Sequence, residues 1–144
     1  MDTKEFLKHI DQDRVVKAIQ QAESLSSAEI RVFVTRQQVE DPVAAGKQQF
    51  QKLGMHKTEL HNGVLIFVAP KSQAFSILGD EAIHSRCGDE FWQKVAGAMK
   101  QHFQQSQFTD AIEHGINEAG RLLAEHFPRS KDDVNELPDE VGHD

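Results

Sequence analysis

Residues 62–92 read NGVLIFVAPKSQAFSILGDEAIHSRCGDEFW, and the fold is decided there. The run Val64-Leu65-Ile66-Phe67-Val68-Ala69 would place apolar side chains on both faces of a strand. A chain tolerates that only in the middle of a sheet covered on both sides. The link PKSQ over 70–73 is too short for a crossover. The next strand, over 74–78, therefore returns antiparallel as a hairpin. Asp80 then caps a short helical turn over 81–86 that ends at Gly88, and Asp89 caps a longer helix. In that helix Trp92, Val95, Ala96, Met99 and Phe103 recur at helical spacing and lay one wide stripe on the sheet.

Working outward, Phe6, Leu7 and Ile10 form an amphipathic lead-in. Asp11 caps a helix over 12–24 whose buried face carries Val15, Ile19 and Ala22. Ile30, Val32 and Val34 alternate with Arg31, Phe33 and Thr35, the pattern of a strand with one strongly apolar face. Asp41-Pro42 opens a further helix, with Val43, Phe50 and Leu53 inward and Gly54 at its stop. A polar connection over 55–62 leads to the central strand. The first strand reaches the central one through a helix, so the pair is predicted to be parallel with a right-handed crossover. The last helix opens at Ser106 or Thr109 and buries Ala111, Ile112, Gly115, Ile116, Ala119, Leu122 and Leu123 before Pro128 stops it. The order of elements predicts a three-layer α/β/α domain over 1–128 with a small mixed sheet.

The chain has 144 residues and a formal charge of −7. One domain of that length buries about 68% of its unfolded surface. The acidic balance argues against nucleic acid as a partner. Residues 129–144, RSKDDVNELPDEVGHD, hold six acidic residues against two basic ones. They are read as a flexible acidic tail, with docking through Val134, Leu137 and Val141 as the alternative. The start of the chain is charged, and the apolar run from Val64 is far shorter than the ~20 residues of a membrane span. The expectation is a cytoplasmic protein without membrane insertion. Cys87 is the single cysteine and is read as structural, and the eight histidines show no zinc spacing.

Several blocks in order resemble the TPM domain family, named from thylakoid-lumen, photosystem-repair and nematode receptor-modulator members. They are AEIRVFV (28–34), LGMHKTELHNGVLIFVAP (53–70), ILGDEAIHSRCGDEFW (77–92), AIEHGINEAGRLLAEHFPR (111–129) and NELPDEV (135–141). The resemblance implies an α/β/α sandwich around a short mixed sheet, with a polar cleft at the strand ends. It also implies an activity menu: weak acid phosphatase in some plant members, divalent-cation binding in others, and assembly or repair of membrane complexes in several. Many members place Asp-Arg in the hairpin turn, where this chain has Lys71-Ser72, and that departure argues against carrying phosphatase activity over.

The candidate cation ligands, for Ca²⁺ or Mg²⁺, are Asp80, Glu81, Asp89 and Glu90 of the acidic loop, with Asn62 and Glu29 from strand ends. Hard cations take several oxygen ligands, which carboxylates and side-chain amides supply. Ligands of open α/β sheets gather beyond the carboxyl ends of strands. Helix capping competes as an explanation of Asp80 and Asp89. Glu29 and Asn62 open strands of a parallel pair, which on its face sets them at the opposite end from Asp80. With no complete nucleophile–base set, the favoured reading is a non-catalytic module for an unidentified protein partner, with a divalent-cation site. The alternative is a weak metal-assisted acid phosphatase.

Overall fold

β-Branched and aromatic residues fill the two central segments, and each forms a strand covered along its whole length. In the computed structural model, which describes residues 1–57, 61–128 and 141–144, β1 (Glu29–Val34) and β2 (Gly63–Ala69) are buried at every position. They pair in parallel, from Glu29↔Gly63 to Val34↔Val68. β1 therefore has no solvent face, and even Arg31 is buried. β3 (Ala74–Gly79) returns antiparallel on β2 after a turn in which Gln73 takes the left-handed conformation.

Strand alternation sorts the side chains into two cores. Ile30, Val32, Val34, Val64, Ile66 and Val68 face a helical layer made by α2 (Gln12–Leu25), α4 (Glu81–Gln104) and α5 (Phe108–His126). Phe33, Leu65 and Phe67 face the other way, onto Phe50 of α3 (Pro42–Lys52) and Met55. The α/β/α sandwich with a mixed sheet is thus the observed architecture. Trp92, Val95 and Met99 of α4 and Ile112, Ile116 and Leu123 of α5 are all buried, as their spacing predicts. Val43 is an exception, 46% exposed, because α3 meets the sheet through Gly46 and Phe50 instead.

Caps account for most helix starts. Asp11 accepts from the Arg14 N–H at 3.1 Å, and Asp41 accepts from Val43 and Ala44. α1 (Thr3–His9) is capped by Asp2 and held to the sheet by the Thr3 hydroxyl, which donates to the Thr35 carbonyl at 2.6 Å. α5 departs from expectation: Gln107 stands in the cap position and makes no side-chain cap bond. The Thr109 hydroxyl is engaged elsewhere, accepting from the Asp11 N–H at 3.0 Å, while Ser106 turns the chain with a φ of 60°.

The sheet has a fourth strand. Its order is β3-β2-β1-β4, where β4 (Gly142–His143) runs parallel to β1 with Phe33↔Gly142 and Val34↔His143. Residues 129–140 of the expected tail, with Val134 and Leu137, lie outside the described residues. The last four residues correct the expectation of a free end. Val141 is buried in the larger core, and Asp144 accepts from the Thr35 hydroxyl at 2.6 Å and from the Arg36 N–H at 2.8 Å. Gly142 packs closely, and a Cβ there would come within 2.8 Å of Arg31 Nη2 and 3.0 Å of Phe33 Cδ2, so a larger residue would have to displace those side chains. Among the described residues, no helix is long and apolar enough to cross a membrane.

Candidate functional site

The sheet topology decides which of the candidate acids can meet. Glu29 and Asn62 stand at the amino ends of the parallel strands. Because β3 runs antiparallel, its last residue returns to that same end, with Val64↔Gly79 in register. The Asp80 N–H then donates to the Gly63 carbonyl at 2.9 Å. Glu29, Asn62 and Asp80 therefore share one end of the sheet, across three neighbouring strands roughly 10 Å wide. The separation read from the strand starts is corrected. The expected position beyond the carboxyl ends of the parallel strands is corrected too, since this is their amino end.

Asn62 is 2% exposed, and its amide donates to the Ser27 hydroxyl at 3.3 Å. Ser27 in turn donates, through both N–H and hydroxyl, to the Phe127 carbonyl at the end of α5. Asp80 splits its carboxylate. Oδ1 accepts from the Glu81 N–H at 2.7 Å, which starts α4. Oδ2 is buried and has no hydrogen-bond partner, and His61 Nδ1 lies 3.8 Å away on a half-exposed ring. Beside it, Gly79 lies so close to Ile83 and Trp92 that a Cβ there would meet Ile83 Cγ2 at 2.9 Å and Trp92 Cζ2 at 3.2 Å. The Trp92 indole N–H is likewise buried without a hydrogen-bond partner.

Two further charged residues lie near the start of β1 and escape a reading of the sequence. Glu23 of α2 is buried, and its Oε2 accepts from the Ile30 N–H at 2.8 Å. Its spacing was the available signal: Ile19, Ala22 and Glu23 lie at i, i+3 and i+4, on one helix face. Arg31 follows Glu29 two residues on, so the two share the face of β1 that Phe33 also uses. By contrast, Glu81, Asp89 and Glu90 are exposed on α4. Asp89 and Glu90 lie beyond the Gly88 break, in the second segment of α4. Among the described residues, no three His, Cys, Asp or Glu side chains come together as a metal-holding group. A cation at this end would rest on Asp80 and the Asn62 amide, completed by backbone oxygens and water.

The cationic and nucleophilic groups are placed for other tasks. Arg86 donates to the His126 carbonyl at 3.0 Å and lies 4.8 Å over the Phe127 ring, tying α4 to the end of α5. Lys71 is exposed in the turn after β2, a strand length of roughly 20 Å from Asp80. Burial pushes the Cys87 thiol up, against the opposing pull of Arg86, so this cysteine is disfavoured as a thiolate nucleophile.

The family model of the TPM domain matches residues 1–122. Among solved structures, the chain is similar to the NMR structure of BA42 protein from the psychrophilic bacterium Bizionia argentinensis. The identity is 37%, 92% of each chain is covered, and the TM-score is 0.85. No curated relative matches. Sequence blocks, sheet topology and fold agree, and the chain belongs to the TPM domain family.

Proposed function

We propose that this TPM domain is a non-catalytic module that binds a protein partner at the amino end of its sheet, with Ca²⁺ or Mg²⁺ held beside Asp80 and Asn62. The observation that carries the reading is the buried Asp80 Oδ2 without a hydrogen-bond partner. A buried carboxylate oxygen left in that condition costs stability, and a hard cation is a natural ligand for it. Exposed Glu81, Asp89 and Glu90 on the adjoining helix add negative potential that favours cation approach and a basic partner surface. The competing reading is a weak metal-assisted acid phosphatase. It would need a cationic clamp on phosphate, yet Lys71 is at the far end of β2 and Arg86 is engaged with His126 and Phe127.

A heteronuclear NMR titration of the full chain with CaCl₂ and MgCl₂ tests the site. The expected result is saturable shifts at Asn62, Asp80 and the start of α4; shifts confined to other regions would remove the cation from the proposal. Turnover of an aryl phosphate that disappears in both Asp80→Ala and Asp89→Ala would replace the non-catalytic reading with the phosphatase one.

A further inference from the structure

The opposite end of the sheet holds an apolar cavity that plays no part in the proposal above. It lies at the carboxyl end of β2, beside Val68 and Ala69, and its volume is about 680 Å³. That is within the roughly 300–1,000 Å³ of small-molecule sites, and the carboxyl end of parallel strands is where open α/β sheets place ligands.

Four phenylalanines from four elements line it: Phe6 of α1, Phe75 of β3, Phe103 near the end of α4 and Phe108 at the start of α5. Their rings form a chain of contacts, with centroids 5.3 Å apart for Phe6–Phe108, 6.4 Å for Phe103–Phe108 and 4.8 Å for Phe75–Phe103. Phe75, Phe103 and Phe108 remain only half-buried, so aromatic surface that could complete the core stays accessible instead. Among the described lining residues Lys100 is the one charged side chain, and Met1 lines the cavity with it. Lys100 is exposed and lies three residues before Phe103, so both project from the same face of α4. The arrangement is a half-open, aromatic-rich cavity edged by Gln73, Gln104 and Ser106, with the Lys100 cation beside it.

We infer that this cavity binds an amphipathic carboxylate: a free, unbranched fatty acid with its alkyl chain against the phenylalanines and its carboxylate on Lys100. The aromatic and aliphatic lining selects the chain by area removed from water, and the Lys100 ammonium selects the head group. Octanoate is the probe, with octanol as its uncharged counterpart, each titrated below aggregation into the full chain and followed by NMR. The expected result is saturable shifts confined to the cavity lining, at Phe6 and residues 68–75 and 100–108. Lys100→Glu should weaken octanoate about tenfold and leave octanol unchanged. Lys100→Gln gives the same comparison should charge reversal disturb the fold. Unsaturable shifts spread over the surface would overturn the inference. So would equal octanoate affinity in the variants, or binding to anionic phospholipid vesicles without binding of octanoate.

Discussion

Asp80 performs a different task with each carboxylate oxygen, and substitution can separate them. Oδ1 caps α4 through the Glu81 N–H, whereas Oδ2 is buried without a hydrogen-bond partner. Asparagine caps nearly as well as aspartate, while alanine loses a cap worth about 0.5–2 kcal/mol. Asp80→Asn should therefore melt close to the parent chain without added cation, and Asp80→Ala should melt lower. Added CaCl₂ should raise the melting temperature of the parent but not that of Asp80→Asn. An equal calcium shift in both would remove Oδ2 as a ligand. Glu23 makes a similar case on the structural side. Glu23→Ala strands the buried Ile30 N–H and should cost about 1–3 kcal/mol in urea unfolding, whereas Glu23→Gln keeps an acceptor and should cost less. Cys87 offers a chemical check. Its thiol is pushed up by burial, so less thiolate is present at a given pH, and iodoacetamide should alkylate it more slowly than glutathione at pH 8. Alkylation as fast as glutathione would contradict that environment.

At the scale of elements, the break in α4 is a backbone feature carried by one residue. Gly88 has φ 72° and ψ 170°, a region open essentially to glycine, and nothing lies within 4 Å of where a Cβ would sit. Gly88→Ala should cost about 1–3 kcal/mol in chemical denaturation although no contact is lost or crowded. A neutral result would show that the two halves of α4 join without the break. The sequence announced this element well, because Asp80 and Gly88 bracket the first segment and the Trp92–Phe103 stripe defines the second. Gly63–Ala69 and the hairpin after it were legible for a related reason: an apolar run and a four-residue link leave few alternatives. What escaped depends on tertiary placement. Thr109 has the chemistry of a helix cap, but its hydroxyl is taken by Asp11 across the fold. Glu23 is a polar residue on an otherwise apolar helix face, and its partner, the Ile30 N–H, is identifiable only once β1 is docked. The candidate site divided in the same way. Asp80 and Asn62 come to the same end of the sheet through the antiparallel return of β3, while Asp89 and Glu90, equally acidic in sequence, lie beyond the Gly88 break in α4. β4 is two residues long, below the length at which alternation can register.

For the whole molecule, the last four residues link the chain's end to the face of the sheet. Val141 fills the larger core, β4 covers part of the outer edge of β1, and Asp144 holds the Thr35 hydroxyl and the Arg36 N–H. Thr35 is also the residue whose carbonyl receives the Thr3 hydroxyl, so both termini are tied to one point beyond β1. Burial of one valine with two hydrogen bonds to a carboxylate is worth about 2–4 kcal/mol. At roughly 2–4 °C per kcal/mol for a domain of this size, deletion of residues 141–144 should lower the melting temperature by about ten degrees. Asp144→Ala removes the bonds but keeps Val141, so it should produce a smaller fall. A terminus that is merely solvated predicts no change for either variant, and that outcome would remove β4 from the fold. The truncated chain also exposes the Phe33–Val34 edge, with its backbone groups unpaired by β4, to other chains. Light scattering should therefore show concentration-dependent association in the deletion and none in Asp144→Ala, because only the first loses the strand itself.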